Sequence, residues 1–449
     1  MNLVEEAKIF AINAHDGQVR KVDTEKPAVV HPINVANILK EYGFDEEVIA
    51  AGYLHDVLED TKYVDSDIER LFGSNVLSLV KCASEPDKSL SWEDRKQHTI
   101  HFTKDLDIRH KAVICADKIS NMEDLMISSE INGECFSKLK RGFESNKWYY
   151  EGVYNSLINE QDKNHPLFVR LKQLIDHVFY NKKDDEYIKN VIFKDNDYEY
   201  KELSILHYKK KELLKLRSIN DNKEPYVIEF TGTPRTGKTN LINNLNDFFK
   251  KGGFDIKVLE EFTTSNYFKS DIYPSLKDKS LYEKNTYIPK YVKLQLDEAI
   301  SKDPDIIIGD RSLLDRLVWI NRLYIRKEIT KDQYYDYKEL YVPIIRDNID
   351  IIIGTYIDSL TSIKRDYGIH LSLEKRKHLY EEYVNEYNEA LFNIEDLCHE
   401  EDINLHLFDT TNTSEREISF GVSNQILEDM RVNSIDNIKR MVLRNSNNK

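Results

Sequence analysis

Apolar side chains recur every three or four positions from the start of the chain. Leu3, Ala7, Phe10 and Ala14 form one stripe, and Val35, Ile38 and Leu39 another behind Pro32, which sits where a helix begins. The same period runs through residues 47–59, 68–80 and 109–125 with few alternating β-branched runs between them, so the first 184 residues are expected to be all α-helical. From Tyr226 the pattern changes. YVIEFT, IKVL, DIIIG, DIIIGTYI and NLHLF are short apolar runs separated by helical stretches, as in a parallel sheet with helices on both faces. Residues 185–224 carry the charge runs KKDDEY, NDYEYKE and HYKKKELLKLR and read as a solvated helix or linker that ends before Pro225. The predicted fold is therefore multidomain. It has an all-α domain (1–184), a charged linker (185–224), an α/β domain with a parallel sheet (225–432) and a frayed Asn/Ser/Lys tail (433–449).

Composition narrows the function. The chain has 449 residues, 40% of them hydrophobic, with 27 Tyr and 18 Phe, which is ample for two or three packed cores. A net charge of −15 leaves no basic excess for a nucleic-acid polymer, whereas small phosphorylated ligands can be held by local cations and a metal. Cys82, Cys115, Cys135 and Cys398 form no CxxC pair and have no zinc-like histidine spacing, so they read as thiols of a reducing compartment. MNLVEEAKIF carries two glutamates within its apolar stretch, unlike a signal peptide, and apolar runs such as 349–355 are too short to span a bilayer. A cytoplasmic protein with nucleotide ligands and no membrane partner is expected.

Three short stretches supply the first candidate chemistry: His31 in VVHPINVA, the run His55-Asp56-Val57-Leu58-Glu59-Asp60, and Asp117 in CADKISN. Two imidazoles and two carboxylates make a mixed N/O set suited to a divalent hydrolytic metal. Glu59 and Asp60 follow His55 and Asp56 by one helical turn, which would project them from the same face. A metal beside spare carboxylates activates water against a phosphate ester. An adjacent His-Asp pair is weak evidence alone, but AAGYLHDVLED is otherwise apolar, where a charged pair is costly unless satisfied.

The series AHDGQVRK, HPINVA, HDVLED, FGSNVLSLV, SWEDRK and ADKISNM resembles, in order and approximate spacing, the hydrolase domain of RelA/SpoT homologues. It is most similar to the small stand-alone alarmone hydrolases of the HD superfamily, over roughly residues 1–160. The resemblance implies a single manganese ion on His31, His55, Asp56 and Asp117, with Glu59 and Asp60 orienting or deprotonating the attacking water. It places Arg20 and Lys21 at the guanine end of the substrate and gives Asn121 a hold on the nucleotide. The implied reaction removes the 3′-pyrophosphate of (p)ppGpp, the alarmone of the stringent response, leaving GDP or GTP. Ala28 departs from the family, which often carries an aromatic residue shortly before the HP histidine, and a related 3′-phosphorylated nucleotide stays open as substrate.

A second motif lies in the α/β half. Gly232-Thr233-Pro234-Arg235-Thr236-Gly237-Lys238-Thr239 satisfies GxxxxGK[ST] between a predicted strand and a predicted helix. Backbone N–H groups there would cradle the phosphates of ATP or GTP, Lys238 would reach the β/γ-phosphates, and Thr239 would bind Mg²⁺. The run DIIIG delivers Asp310-Arg311-Ser312, and IKVL delivers Glu260 and Glu261. Together these features resemble the deoxynucleoside-kinase and thymidylate-kinase branch of P-loop proteins. That likeness implies Glu261 as base for the acceptor, Asp310 and Arg311 beside the phosphates, and Arg365 with Lys364 as a lid cation. Two other readings stay open: a nucleotide-binding sensor that gates the hydrolase, and a stress or phage-defence enzyme acting on nucleotide pools. A degenerate binding module fits poorly, because every metal-ligand type is intact.

Overall fold

The computed structural model describes residues 2–20, 23–84, 89–133, 136, 139, 141–158, 162–180, 197–220, 224–266, 268–366 and 374–447. The chain divides into two compact units, residues 1–221 with 431–449, and residues 222–430.

The first unit is all α-helical: α1 (Leu3–Ala14), α2 (Val30–Glu41), α3 (Glu46–Leu54), α4 (Val57–Asp60), α5 (Asp65–Phe72), α6 (Ser74–Ala83), α7 (Trp92–Thr103), α8 (Ile108–Asn132), α9 (Phe143–Leu157), α10 (Pro166–Tyr180) and α11 (Asp197–Ile219). Asn2, Asp45, Ser91 and Asp107 each accept first-turn N–H groups at a helix start, satisfying donors that a helix leaves orphaned. Pro32 lies in the first turn of α2, where its missing N–H costs nothing. Ile12, Ile33, Leu39, Leu54, Ile68 and Phe168 are fully buried at the centre.

Several boundaries differ from the sequence reading. The 47–59 helix is broken, so His55 and Asp56 lie at a corner between α3 and α4 and not mid-helix. The 68–80 helix is two, split at Gly73, whose φ of 89° is open to glycine without strain. The second half of the expected linker is α11, which packs against α8 and α2 and buries Leu206, Tyr208, Leu213, Leu216 and Ile219. Apolar positions are threaded through its lysines at helical spacing, and charged heads reach water from stems laid along the apolar face. Residues 185–196 of that linker, and 181–184 before it, lie outside the described residues. The expected frayed tail is instead the end of helix Glu415–Asn447, with Ile435, Ile438 and Val442 buried at i, i+3, i+7 spacing in the first unit's core.

The second unit is α/β. β1 (Tyr226–Gly232), β2 (Ile256–Leu259), β3 (Ile306–Asp310), β4 (Ile351–Tyr356) and β5 (Leu405–Asp409) form one parallel sheet in the order β2-β3-β1-β4-β5. Ile228 of the central strand pairs with Ile308 on one side and Ile351 on the other. All seven residues of β1 are buried, which is why parallel strands read as near-continuous apolar runs. Cys82, Cys115 and Cys398 are buried free thiols, and Cys135 lies outside the described residues. Among the described residues, no helix is long and apolar enough to cross a membrane.

Candidate metal centre and nucleotide loop

In the first unit α2, the α3–α4 corner and α8 bring His31, His55, Asp56 and Asp117 to one point. His31 Nε2 lies 3.0 Å from Asp117 Oδ1 and 3.2 Å from His55 Nε2. Asp56 closes the group, with Oδ1 3.1 Å from His55 Nε2 and Oδ2 3.7 Å from His31 Nε2. The other ring nitrogens are occupied: His55 Nδ1 donates to Gly52 O at 2.9 Å, and His31 Nδ1 meets Ser120 Oγ at 3.0 Å. Those contacts turn both Nε2 atoms inward, the arrangement of metal-ligating histidines held by outer partners. His31, His55 and Asp117 offer ligand atoms within 4.8 Å of one another, and all three are buried.

The electrostatics fit a cation. Burial disfavours charge on His55, yet Asp56 and Asp117 raise it to about 9. Burial, followed by Arg20, lowers His31. Burial also opposes charge on the two aspartates, but His55 holds Asp56, and Lys118 holds Asp117, below the ordinary carboxylate range. Two facing imidazole nitrogens between two ionised carboxylates call for positive charge at their centre, and a divalent ion meets all four groups together.

The proposed substrate residues adjoin this cluster. Arg20 Nη2 donates to Asn121 Oδ1 and to Asp124 Oδ2, each at 3.1 Å, and Asn121 Nδ2 donates to Asp117 Oδ1 at 2.6 Å. Lys21 lies outside the described residues. Glu59 is half-buried and lines a cavity of about 800 Å³ with Ser84, His98, Thr99 and His110, while Asp60 is exposed. Ser84 Oγ reaches His55 O at 3.3 Å, so that cavity borders the histidine corner. Ala28 donates its N–H to Gln18 O, closing the turn that carries Arg20. Sequence reasoning missed Ser120 and Asp124. Their signal was present, since Asp117, Ser120, Asn121 and Asp124 recur at helical spacing on one face of α8.

In the second unit the connection from β1 to helix Lys238–Lys250 carries Thr233–Gly237. A Cβ on Gly232 would stand 2.0 Å from Thr355 O, and Gly237 has φ 91°, so both glycines are required by the backbone. Lys238 Nζ donates to Gly232 O and Thr233 O, each at 2.8 Å. Burial and then Arg311 lower this lysine to about 7. Thr236 Oγ1 meets Thr355 Oγ1 at 2.7 Å, and Pro234 O accepts from Ser362. Thr239 is exposed. Arg311 Nη2 reaches Gly232 O at 3.5 Å, its Nη1 lies 3.9 Å from Glu261, and Arg365 donates to Arg235 O at 3.3 Å. Asp310 ends β3 beside them with a buried Oδ1 that has no hydrogen-bond partner among the described residues. The fold thus gathers the residues singled out from the sequence around this loop.

Comparison with known proteins bears chiefly on the first unit. A family model described as an HD domain matches residues 7–137. The guanosine-3′,5′-bis(diphosphate) 3′-pyrophosphohydrolase MESH1 of Drosophila melanogaster is 39% identical over 122 residues, covering 27% of this chain and 68% of that protein. The bifunctional (p)ppGpp synthase/hydrolase SpoT of Escherichia coli (strain K12) is 39% identical over 126 residues, 27% of this chain. The chain spans only 18% of the length of SpoT. A structure of deoxyadenosine kinase from M. mycoides with bound dATP matches 44% of this chain and 98% of its own at 22% identity and a TM-score of 0.33, a likeness that identifies no activity. With more than two thirds of MESH1 covered and the metal cluster assembled, the chain belongs, through its N-terminal unit, to the HD-domain (p)ppGpp-hydrolase-like family.

Proposed function

We propose that the first unit hydrolyses the 3′-pyrophosphate of (p)ppGpp or a related 3′-phosphorylated nucleotide. The observation that carries this reading is the convergence of His31, His55, Asp56 and Asp117, with Asn121 hydrogen-bonded to Asp117 and Arg20 in turn to Asn121. These four residues would hold Mn²⁺, which when bound polarises water and phosphoryl oxygen. Glu59 and Asp60 would orient the attacking water and take its proton. Arg20 and Lys21 would bind the guanine end and Asn121 would steady the nucleotide. Water adds to the phosphorus of the 3′-ester, the ribose 3′-oxygen leaves, and the products are pyrophosphate with GDP or GTP.

The second unit we read as an ATP- or GTP-binding, kinase-like domain using Mg²⁺. Lys238 in a loop of obligatory glycines, beside Asp310, Arg311, Glu261 and Arg365, supports that reading. Phosphoryl transfer to a small acceptor and a sensing role are separated by screening ATP against nucleosides and nucleotides for a phosphorylated product.

The hydrolase is tested on the full chain with ppGpp and Mn²⁺. Pyrophosphate release is expected from the unaltered chain, with loss of at least about a hundredfold in Asp56→Ala and His55→Ala. Full activity in both variants would show the metal site to be misassigned.

A further inference from the structure

The turn that carries Arg20 is gripped by elements outside the stretch matched to the HD family. Its base is a bridge between Val19 and Pro27, reinforced by Arg20 N–H donating to Lys26 O at 2.9 Å. Its far side faces α11 and the part of helix Glu415–Asn447 that belongs to the same unit. Arg431 donates to Asp23 at 2.5 Å, to Glu25 at 2.6 Å and, through Nε, to Glu212 at 3.3 Å. Glu212 is also paired with Lys26.

One turn further along α11, Lys215 Nζ donates to Asp124 Oδ1 at 2.8 Å, while the other oxygen of Asp124 accepts Arg20 at 3.1 Å. Lys215 also lies 3.4 Å from Ser120 O, and Ser120 Oγ is the group against His31 Nδ1. Burial would raise Asp124, but Lys215, Arg20 and Lys26 hold it ionised, well below the usual carboxylate range. The side chains of Glu212, Lys26 and Lys215 are only 9%, 12% and 13% exposed. Covered ion pairs with several donors add little net stability, because desolvation offsets the attraction, and their better-attested use is to fix one geometry.

We propose that Glu212 and Lys215 of α11, together with Arg431, are positioning residues of the hydrolase: they tie down Asp23, Glu25 and Lys26 and, through Asp124, hold Arg20 in its nucleotide-facing place. This rests on the hydrolase reading of the first unit. The three touch neither the metal ligands' side chains nor, on this account, the reacting phosphate. Their loss therefore weakens substrate binding and leaves metal binding and the chemical step nearly intact.

The test is steady-state pyrophosphate release from ppGpp at saturating Mn²⁺ by the full chain and by Lys215→Ala, Lys215→Arg, Arg431→Ala and Arg431→Lys. Mn²⁺ affinity is followed alongside by the spectroscopic signal of the free ion. In the alanine variants KM is expected to rise on the order of tenfold with kcat within about threefold and Mn²⁺ affinity unchanged. Lys215→Arg should recover most of the KM. Lys215→Ala combined with Arg20→Ala should be no worse than Arg20→Ala alone, because both changes remove one interaction. Should Lys215→Ala fail to fold, Lys215→Met keeps the packed stem and is read in its place. An unchanged KM in folded variants, additivity with Arg20→Ala, or a parallel fall in Mn²⁺ affinity would overturn the positioning role. An unaltered chain inert towards ppGpp would refute the hydrolase reading itself, whereas an active chain with indifferent variants would refute the positioning alone.

Discussion

Glu229 stands in the middle of β1, where a parallel sheet covered on both faces calls for an aliphatic side chain, and it is fully buried. Its oxygens accept the N–H groups of Leu314 and Asp315, each at 3.0 Å, at the start of helix Leu313–Ile325. Burial is the dominant influence and raises its carboxyl to about 8, although those two donors act the other way. The ordinary glutamate value is about 4.3, so the folded value is raised and the neutral form favours the fold. Its stabilising contribution is complete below about pH 4 and is lost as pH rises towards 8, on the order of a few kcal/mol. Thermal melts of the second unit should therefore fall in midpoint between about pH 4 and 8, and Glu229→Gln should flatten that slope. An unchanged slope in the variant would place the titration elsewhere. At this scale the His31, His55 and Asp117 cluster was legible from residue type and spacing. The groups that orient them were not, because Gly52 acts through a backbone carbonyl and Ser120 through a hydroxyl with no signature of its own.

Among the elements, α11 shows what a charge run can hide. HYKKKELLKLR reads as solvated when its charges are counted, yet Leu213 and Leu216 are almost fully buried in the stripe against α8. Leu216→Ala is accordingly expected to cost about 2–5 kcal/mol in the urea unfolding of the first unit, the range for a core leucine. A change within about 0.5 kcal/mol, as for an exposed linker, would contradict the packing. The five strands of the sheet were legible because each is short, largely apolar and bounded by helical stretches. The corner at His55-Asp56 was not, since apolar spacing runs across it with no glycine or proline at the break itself, and tertiary packing makes the break. Gly73 did announce the α5–α6 break, but the apolar period on both sides outweighed it in the reading.

For the molecule as a whole, a net charge of −15 is carried by a chain with two proposed sites for phosphorylated ligands, each built from local cations or a metal. Ligands that bind only the folded state slow hydrogen exchange where they bind, and at a hundred times Kd the stabilisation is about 2.7 kcal/mol, roughly a hundredfold in rate. Mn²⁺ should therefore slow exchange in α2, at the α3–α4 corner and along the middle of α8, and a chelator should reverse this. Mg²⁺ with ATP should slow exchange over residues 230–245, where the loop amides would meet phosphate. Lys238→Ala should abolish the second effect and preserve the first, because among the described residues its side chain bonds only within its own loop. Mn²⁺ that leaves α2 and α8 untouched would remove the metal assignment. ATP that leaves the loop untouched would reduce the glycine motif to a structural turn, and its buried lysine to a brace across two carbonyls.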